Sequence, residues 1–367
     1  MTETLSPDEL LERAMDNYRV GRLEKAKADW EAVLARDPNN YDALEWRGEV
    51  GIQQDEYEIA ADCLQKCRDL DPERFEEYSN LGLAYYELEE AVKAVECLRK
   101  AIELNPADDV AHSNLGRALY DYFHGGHEVE AAAIAREWAQ AFPDNPDAAH
   151  MGAAVGGLPA PDKAVEAYVA DVFDTFAADF DQKLADLGYR APQLLVDLIG
   201  EDGVDGKVDI LDAGCGTGLC GPLLKPWARR MDGVDLSPKM LDKAEERGLY
   251  DHLEERELVE YLHDHADDYD LVIAADVLCY FGALDQAFKA TKDALRAGGH
   301  FAFSLERASD WDETYKLHPS GRYSHGETYV LQMVEQAGFD ILTKAHEVLR
   351  SEYGEDVHGL VVLARKR

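Results

Sequence analysis

The sequence predicts two fold classes in series: an all-α array of helical hairpins over residues 1–145, and an α/β domain with a parallel, doubly wound sheet over 165–367. Two observations predict this. Pro38, Pro72 and Pro106 recur every 34 residues in the first part. After about residue 207, short apolar runs alternate with amphipathic helical segments. The chain has 367 residues, 46% of them hydrophobic, which is enough for two or three domains with cores of their own.

Gly48, Gly82 and Gly116 keep the register of the prolines, as do Ala26, Ala60 and Ala94. Small residues let the two helices of a hairpin approach closely, and a proline after the second helix stops it before the next unit begins. The units read as 7–40, 41–74, 75–108 and a lengthened fourth, 109–145, which takes in His124-Gly125-Gly126-His127. Residues 146–164 read as a linker. The three columns resemble the tetratricopeptide repeat (TPR).

That resemblance implies a superhelix whose inner face is lined by the first helix of each hairpin. One such column is Tyr18, Ile52, Tyr86 and Tyr120, with Asp42, Glu45, Glu49, Glu76, Glu87 and Asp121 beside it. The basic and asparagine residues with which some members clamp a carboxylate terminus are missing. The implied partner is a protein or peptide segment of basic or aromatic character, with Tyr18, Tyr86 and Tyr120 as contacts. The alternatives are that these tyrosines pack between repeats, or that the array dimerises or braces the second domain.

Charge and composition narrow the partners. The chain has 75 acidic and 37 basic residues, a formal net charge of −38, and such a field repels phosphate backbones, so no nucleic acid is expected. The excess acid reads either as adaptation to high salt or as preference for a basic partner. With no run of eighteen apolar residues and no secretion signal at Met1–Ser6, no membrane association and a cytoplasmic location are expected. The six cysteines have neither disulfide framework nor zinc spacing, and Cys63 and Cys97 occupy one repeat position, so they read as packing residues and no metal is expected.

In the second part the apolar runs are Val208–Leu211, Met231–Val234, Leu271–Ala274 and His300–Phe303, followed by a closing antiparallel pair, Phe339–Leu349 and Val357–Ala364. After the first run, Gly214, Gly216 and Gly218 allow a tight turn and close approach of backbone to a ligand. The second run ends in Asp235, an acid suited to a ribose diol. Gly216, Gly218 and Gly221 also satisfy a dinucleotide fingerprint, so the glycines alone leave the cofactor open.

Asp212, just ahead of the glycines in Leu-Asp-Ala-Gly-Cys-Gly-Thr-Gly, resembles the first motif of class I S-adenosylmethionine-dependent methyltransferases. Ala274-Ala275-Asp276-Val277-Leu278-Cys279-Tyr280-Phe281 is similar to that family's fourth motif, and the closing pair to its sheet. The likeness covers about 165–367, and the domain order resembles bacterial methyltransferases that carry amino-terminal TPRs. It implies a Rossmann-like, seven-stranded domain with S-adenosylmethionine as cofactor. By the same resemblance, Asp212, Gly214, Gly216 and Gly218 form the methionine-side loop, Asp235 binds the ribose, and Leu236, Glu257 and Leu258 meet the adenine. Asp276 and Tyr280 line the methyl-donor side. Residues 165–200 resemble the family's helical lid, with Phe180 and Tyr189 as contacts, although Phe173, Phe176 and Phe180 also have the spacing of a buried helix stripe.

Pro319–Gly326 falls in the loop after the fifth strand, where this fold admits its acceptor. His325 is suited by its ordinary pKa to take a proton, Tyr280 and Asp276 are further catalytic candidates, and Arg322 and Tyr323 are acceptor contacts. The expected function is methyl transfer to a protein or peptide delivered by the repeats. The alternatives are a small-molecule methyltransferase that uses the repeats for assembly, and a non-catalytic scaffold that binds S-adenosylmethionine.

Overall fold

The computed structural model describes residues 5–201, 206–309 and 314–367. The chain divides into two compact units, Met1–Ala148 and Ala149–Arg367.

The first unit holds four helical hairpins: α1 (Pro7–Arg19) with α2 (Leu23–Leu34), α3 (Tyr41–Gln53) with α4 (Tyr57–Leu70), α5 (Phe75–Glu87) with α6 (Ala91–Leu104), and α7 (Asp109–His124) with α8 (Glu128–Ala141). Ser6 opens the array with a capping box: its hydroxyl accepts from Glu9 N, and Glu9 accepts from Ser6 N at 2.7 Å. Pro38, Pro72 and Pro106 lie just past the ends of α2, α4 and α6, where a residue without an N–H costs no helical bond. The repeating small residues sit where hairpin helices meet. Ala26, Ala60 and Ala94 have no exposed surface, and a Cβ on Gly82 would lie 2.5 Å from Leu98 Cγ.

Helix α9 (Pro146–Ala154) occupies the first half of the segment read as a linker, and Lys163 near its end makes an antiparallel bridge with Phe281. In the second unit, α10 (Glu166–Phe176), α11 (Phe180–Asp186) and α12 (Ala191–Glu201) precede the sheet. The strands are β1 (Val208–Ala213), β2 (Ala228–Asp235), β3 (His252–Glu255), β4 (Tyr269–Ala274), β5 (Leu295–Arg307), β6 (Tyr315–Leu317), β7 (Tyr323–His325), β8 (Phe339–Glu352) and β9 (Glu355–Lys366). The parallel order is β3-β2-β1-β4-β5, and β9 then β8 continue antiparallel from β5, which is the expected seven-stranded core. The hairpin β6–β7 is additional, and β7 pairs with β5 only at Glu306 and Arg307.

Side chains alternate across this sheet with period two. Leu211, Val272, Phe301 and Phe303 face one core with Phe288 and Tyr261. Ile210, Leu271, Ile273 and Ala302 face the other with Leu195 and Ile199 of α12. Both faces are covered, as a parallel sheet requires, so the crevice at the carboxyl ends of the strands is where a ligand fits.

Gly82→Ala is expected to destabilise the repeats. Overpacking against Leu98 costs about 1–3 kcal/mol and outweighs the roughly 1 kcal/mol that alanine gains in a helix. Urea unfolding followed by circular dichroism measures it, and an unchanged midpoint would mean that Leu98 repacks freely.

Candidate functional site

A cavity of about 360 Å³ opens at the carboxyl ends of β1, β2 and β4. Its floor begins where β1 ends. Gly214 N and Cys215 N both donate to Val234 O, at 2.8 and 3.0 Å, which turns the chain back over β2. Gly214 has φ +67°, and a Cβ there would come 2.3 Å from Val277 Cγ2, so both backbone sign and space demand glycine. Gly216 N then donates to Asp235 Oδ2 at 2.8 Å, and Ser237 N donates to Asp235 Oδ1 at 2.9 Å. Burial pushes the Asp235 carboxyl up and the backbone donors pull it down, with burial the stronger. Each oxygen retains a lone pair for a diol.

Asp235, Leu236, Glu257, Leu258, Gly214, Gly216, Asp276, Tyr280, Tyr189, Phe180 and Arg322 all line the cavity, so the structure gathers most of the predicted site. Glu257 also caps the helix that starts at Leu258, accepting from Glu260 N at 2.9 Å, and takes Lys163 Nζ at 3.1 Å. Helices α10 and α11 are tied to the cavity rim. Ser237 Oγ donates to Asp174 and Thr217 Oγ1 to Asp181, each at 2.5 Å, and Arg247 pairs with Asp181. Phe173 meets Phe180 and Tyr280 edge-on, at 5.8 and 5.6 Å between ring centres. The aromatic stripe of the sequence is therefore divided between two helices, and Phe173, Phe176 and Phe180 all reach the cavity.

Four of the residues predicted in the second unit lie outside the cavity. Asp212 is 1% exposed and outside the cavity. Its carboxylate accepts the Tyr250 hydroxyl at 2.6 Å, and burial pushes its pKa up to about 6 against the pull of Tyr250 and Cys220. Gly218 packs against Tyr250 and Arg247 behind the loop. Tyr323 is fully buried in β7 and donates to Pro161 O at 2.8 Å. His325 belongs to the same strand, is 1% exposed and has its Nε2 3.1 Å from Gly282 O. Burial lowers its pKa to about 4. The last part of the loop read as an acceptor entrance, Tyr323–His325, is a strand here and turns His325 and Tyr323 into the core, while Arg322 just ahead of it lines the cavity.

The sequence reading missed the charged network beside Asp276. Asp276 sits at φ +58°, with its N–H on Ser304 Oγ at 2.8 Å and Ser304 Oγ donating back at 3.3 Å. Arg350 donates to Asp276, Glu306 and Glu352. Arg322 donates to Glu306 at 2.6 Å and to both oxygens of Glu352 at 2.7 and 2.5 Å. Burial raises the Glu306 and Glu352 carboxyls, but the two arginines outweigh it and hold both below the ordinary range. Arg350 reaches inward because the register of β8 shifts between Val348 and Arg350, burying Leu349 and Arg350 in succession.

In the first unit, Tyr18, Tyr86 and Tyr120 are half-buried on the first helices of their hairpins. Tyr18 packs on Trp46 at 5.3 Å and its hydroxyl accepts from Gln53 at 2.9 Å. The Arg117 guanidinium covers Tyr86 at 4.3 Å, and Tyr120 meets His124 edge-on at 4.7 Å. Among the described residues no group of carboxylates, cysteines and histidines has metal-binding geometry, and no helix is long and apolar enough to cross a membrane.

Residues 211–301 match the family model described as a methyltransferase domain, and residues 11–75 and 75–108 match models of the tetratricopeptide repeat. The chain thus carries, in order, sequence that matches TPRs and sequence that matches a methyltransferase domain, folded as helical hairpins and then a Rossmann-like α/β sheet. It is 44% identical over 84 residues to the human methyltransferase-like protein 27, a stretch covering 22% of this chain and 34% of that relative's length. It thus spans about a third of the curated relative it matches. Two similar solved structures are the N-methyltransferase NodS from Bradyrhizobium japonicum, at 18% identity over 54% of this chain and 98% of that one with TM-score 0.44, and magnesium protoporphyrin IX methyltransferase from Synechocystis, at 17% over 55% and 100% with TM-score 0.44.

Arg350→Met is expected to cost about 3–5 kcal/mol, because it leaves buried Asp276 without its cation and Glu306 and Glu352 with Arg322 alone. The depressed pKa values of Glu306 and Glu352 contribute stability above the ordinary carboxylate range, and that stability is lost as pH falls through the folded-state values. Urea unfolding at neutral and acid pH is expected to show the gap between the native chain and the variant narrowing in acid. A gap independent of pH would contradict the ionised network.

Proposed function

We propose that the chain transfers the methyl group of S-adenosylmethionine to an acceptor on a protein or peptide held by the repeats. The observation that carries the methyltransferase reading is the cavity at the strand ends, with Asp235 fixed between Gly216 N and Ser237 N. In this reading Asp235 holds the ribose hydroxyls, Leu236 and Leu258 flank the adenine, and Glu257 meets its edge. Gly214 and Gly216 leave room for the methionine portion, while Asp212 and Gly218 brace the loop from behind. Phe180 and Tyr189 cover the cofactor. Bound S-adenosylmethionine supplies a methyl carbon on a sulfonium centre, with the leaving group already built in. The residues of this chain orient the acceptor and exclude water. Tyr280, Asp276 and Arg322 form the wall that the acceptor meets.

The first helices of the second and third repeats favour a basic segment as the recruited partner. Burial raises the Glu45 and Glu49 carboxyls and the charge of Glu77 raises both further, while Arg74, paired with Glu45 at 2.7 Å, pulls both down in part. Among the described residues Glu49 has no hydrogen bond or ion pair. A lysine or arginine from a partner relieves that repulsion, and Tyr18, Tyr86 and Tyr120 supply aromatic contact area.

The test follows radiolabelled methyl into an extract of the source cells, using the full chain and the double variant Glu45→Lys, Glu49→Lys. Labelling of a protein band is expected to fall by about tenfold or more, corresponding to about 1.4 kcal/mol, with affinity for S-adenosylhomocysteine unchanged. Equal labelling by both proteins would remove the acidic face from recruitment. Label confined to the small-molecule fraction would favour a small-molecule methyltransferase.

A further inference from the structure

The wall beside Asp276 is filled with polar groups, and most of them are used up on one another. Arg350 commits all three guanidinium nitrogens to Asp276, Glu306 and Glu352. Asp276 accepts through both oxygens, from Ser304 and Arg350. Glu352 likewise accepts through both, from Arg322 and Arg350. The Cys279 thiol donates to the Asp276 carbonyl. Both oxygens of Asp276 and of Glu352, the carboxylates that line this end, therefore already accept from a cation or a hydroxyl, and no histidine among the described residues lines the cavity.

Three groups remain open. Arg322 lines the cavity and uses Nε and Nη2 on Glu306 and Glu352, but its Nη1 has no hydrogen-bond partner among the described residues. The hydroxyls of Tyr280 and Tyr189, also in the lining, have none either. They stand close to the same cluster: Arg322 and Arg350 act electrostatically on Tyr280, and Asp276 and Arg350 on Tyr189. Burial keeps both phenols protonated, so each offers an O–H. The arginine can only donate. This end of the cavity thus presents three open donors for an oxygen, while its carboxylates are already engaged by cations and a hydroxyl. An ammonium or hydroxyl acceptor must lose a proton before it can attack, whereas an oxygen that is already anionic need not.

We infer, on the methyltransferase reading above, that the methyl acceptor is a carboxylate held by Arg322 Nη1 and the hydroxyls of Tyr189 and Tyr280, and that the product is a methyl ester. One carboxylate oxygen forms the new C–O bond to the methyl carbon as the S–C bond breaks and its electron pair returns to sulfur. The anion and the sulfonium become a neutral ester and a neutral thioether, and no proton moves. In that balance the incoming anion is matched by the positive charge of the methyl donor, beside a wall in which two arginines are shared among three carboxylates. A protein side chain or terminus and a free organic acid both carry this group.

The experiment treats the labelled products of the full chain with mild alkali and counts volatile methanol, after separating protein from small molecules. Label released as methanol is expected, and the fraction that releases it identifies which source supplies the carboxylate. Label that resists alkali would overturn the inference while leaving methyl transfer intact. No label above an Asp235→Ala control would overturn the methyltransferase reading, and this inference with it. Tyr189→Phe and Tyr280→Phe remove only a hydroxyl each, and each is expected to raise the acceptor KM roughly tenfold, the scale of a hydrogen bond to a charged group. In Tyr280→Phe, S-adenosylhomocysteine affinity should stay unchanged. Unchanged acceptor KM in both variants would remove these hydroxyls from the acceptor site.

Discussion

The hydrogen bond from Gly216 N to the Asp235 carboxylate, 2.8 Å long, is the tie on which the cavity depends. Adjacent parallel strands bring two chain ends to the same edge of the sheet, and the loops leaving those ends must diverge to open a crevice. Here Val234 O takes two amides of the loop after β1, and Asp235 takes a third, so loop and strand end are one rigid piece. Ser237 N occupies the other Asp235 oxygen, and Ser237 Oγ then accepts from Met240 N to begin the next helix. Asp212 serves the same piece from behind through Tyr250, which also packs on Gly218.

The second constraint is electrostatic. Buried ion pairs gain little net stability because desolvation offsets attraction, so the Arg322–Arg350 network is better understood as a device for position. It joins β5, β8 and the residue ahead of β7 through Glu306, Arg322, Arg350 and Glu352, and holds Asp276 at a positive φ that a non-glycine residue adopts at a cost. The result is a wall whose carboxylates cannot wander and whose open atoms are few.

Much of this was legible in the sequence because it rests on local rules. The 34-residue columns mark where helices touch, and the glycine loop, Asp235 and the closing strand pair are set by short-range pattern. The family resemblance also placed Tyr280, Arg322, Glu257 and Leu258 at the site, and all four line the cavity. The hidden part depends on register and long-range pairing. Arg350 looks like an exposed residue of an edge strand until a bulge turns it inward. Glu306 and Ser304 lie in an apolar run on β5 and find polar partners only when the fold brings Arg322, Arg350 and Asp276 to them from distant parts of the chain. His325 and Tyr323 misled for the converse reason: three residues are too few to announce a strand, and β7 exists only by pairing with β5 and β6.

The most direct measurement is calorimetric titration of the full chain and of Asp235→Ala with S-adenosylhomocysteine. One site per chain is expected, with binding weakened in the variant by about 1.5–3 kcal/mol, the scale of hydrogen bonds to a charged group, and an unaltered fold by circular dichroism. Equal binding by both proteins, or none by the native chain, would contradict the assignment of this cavity.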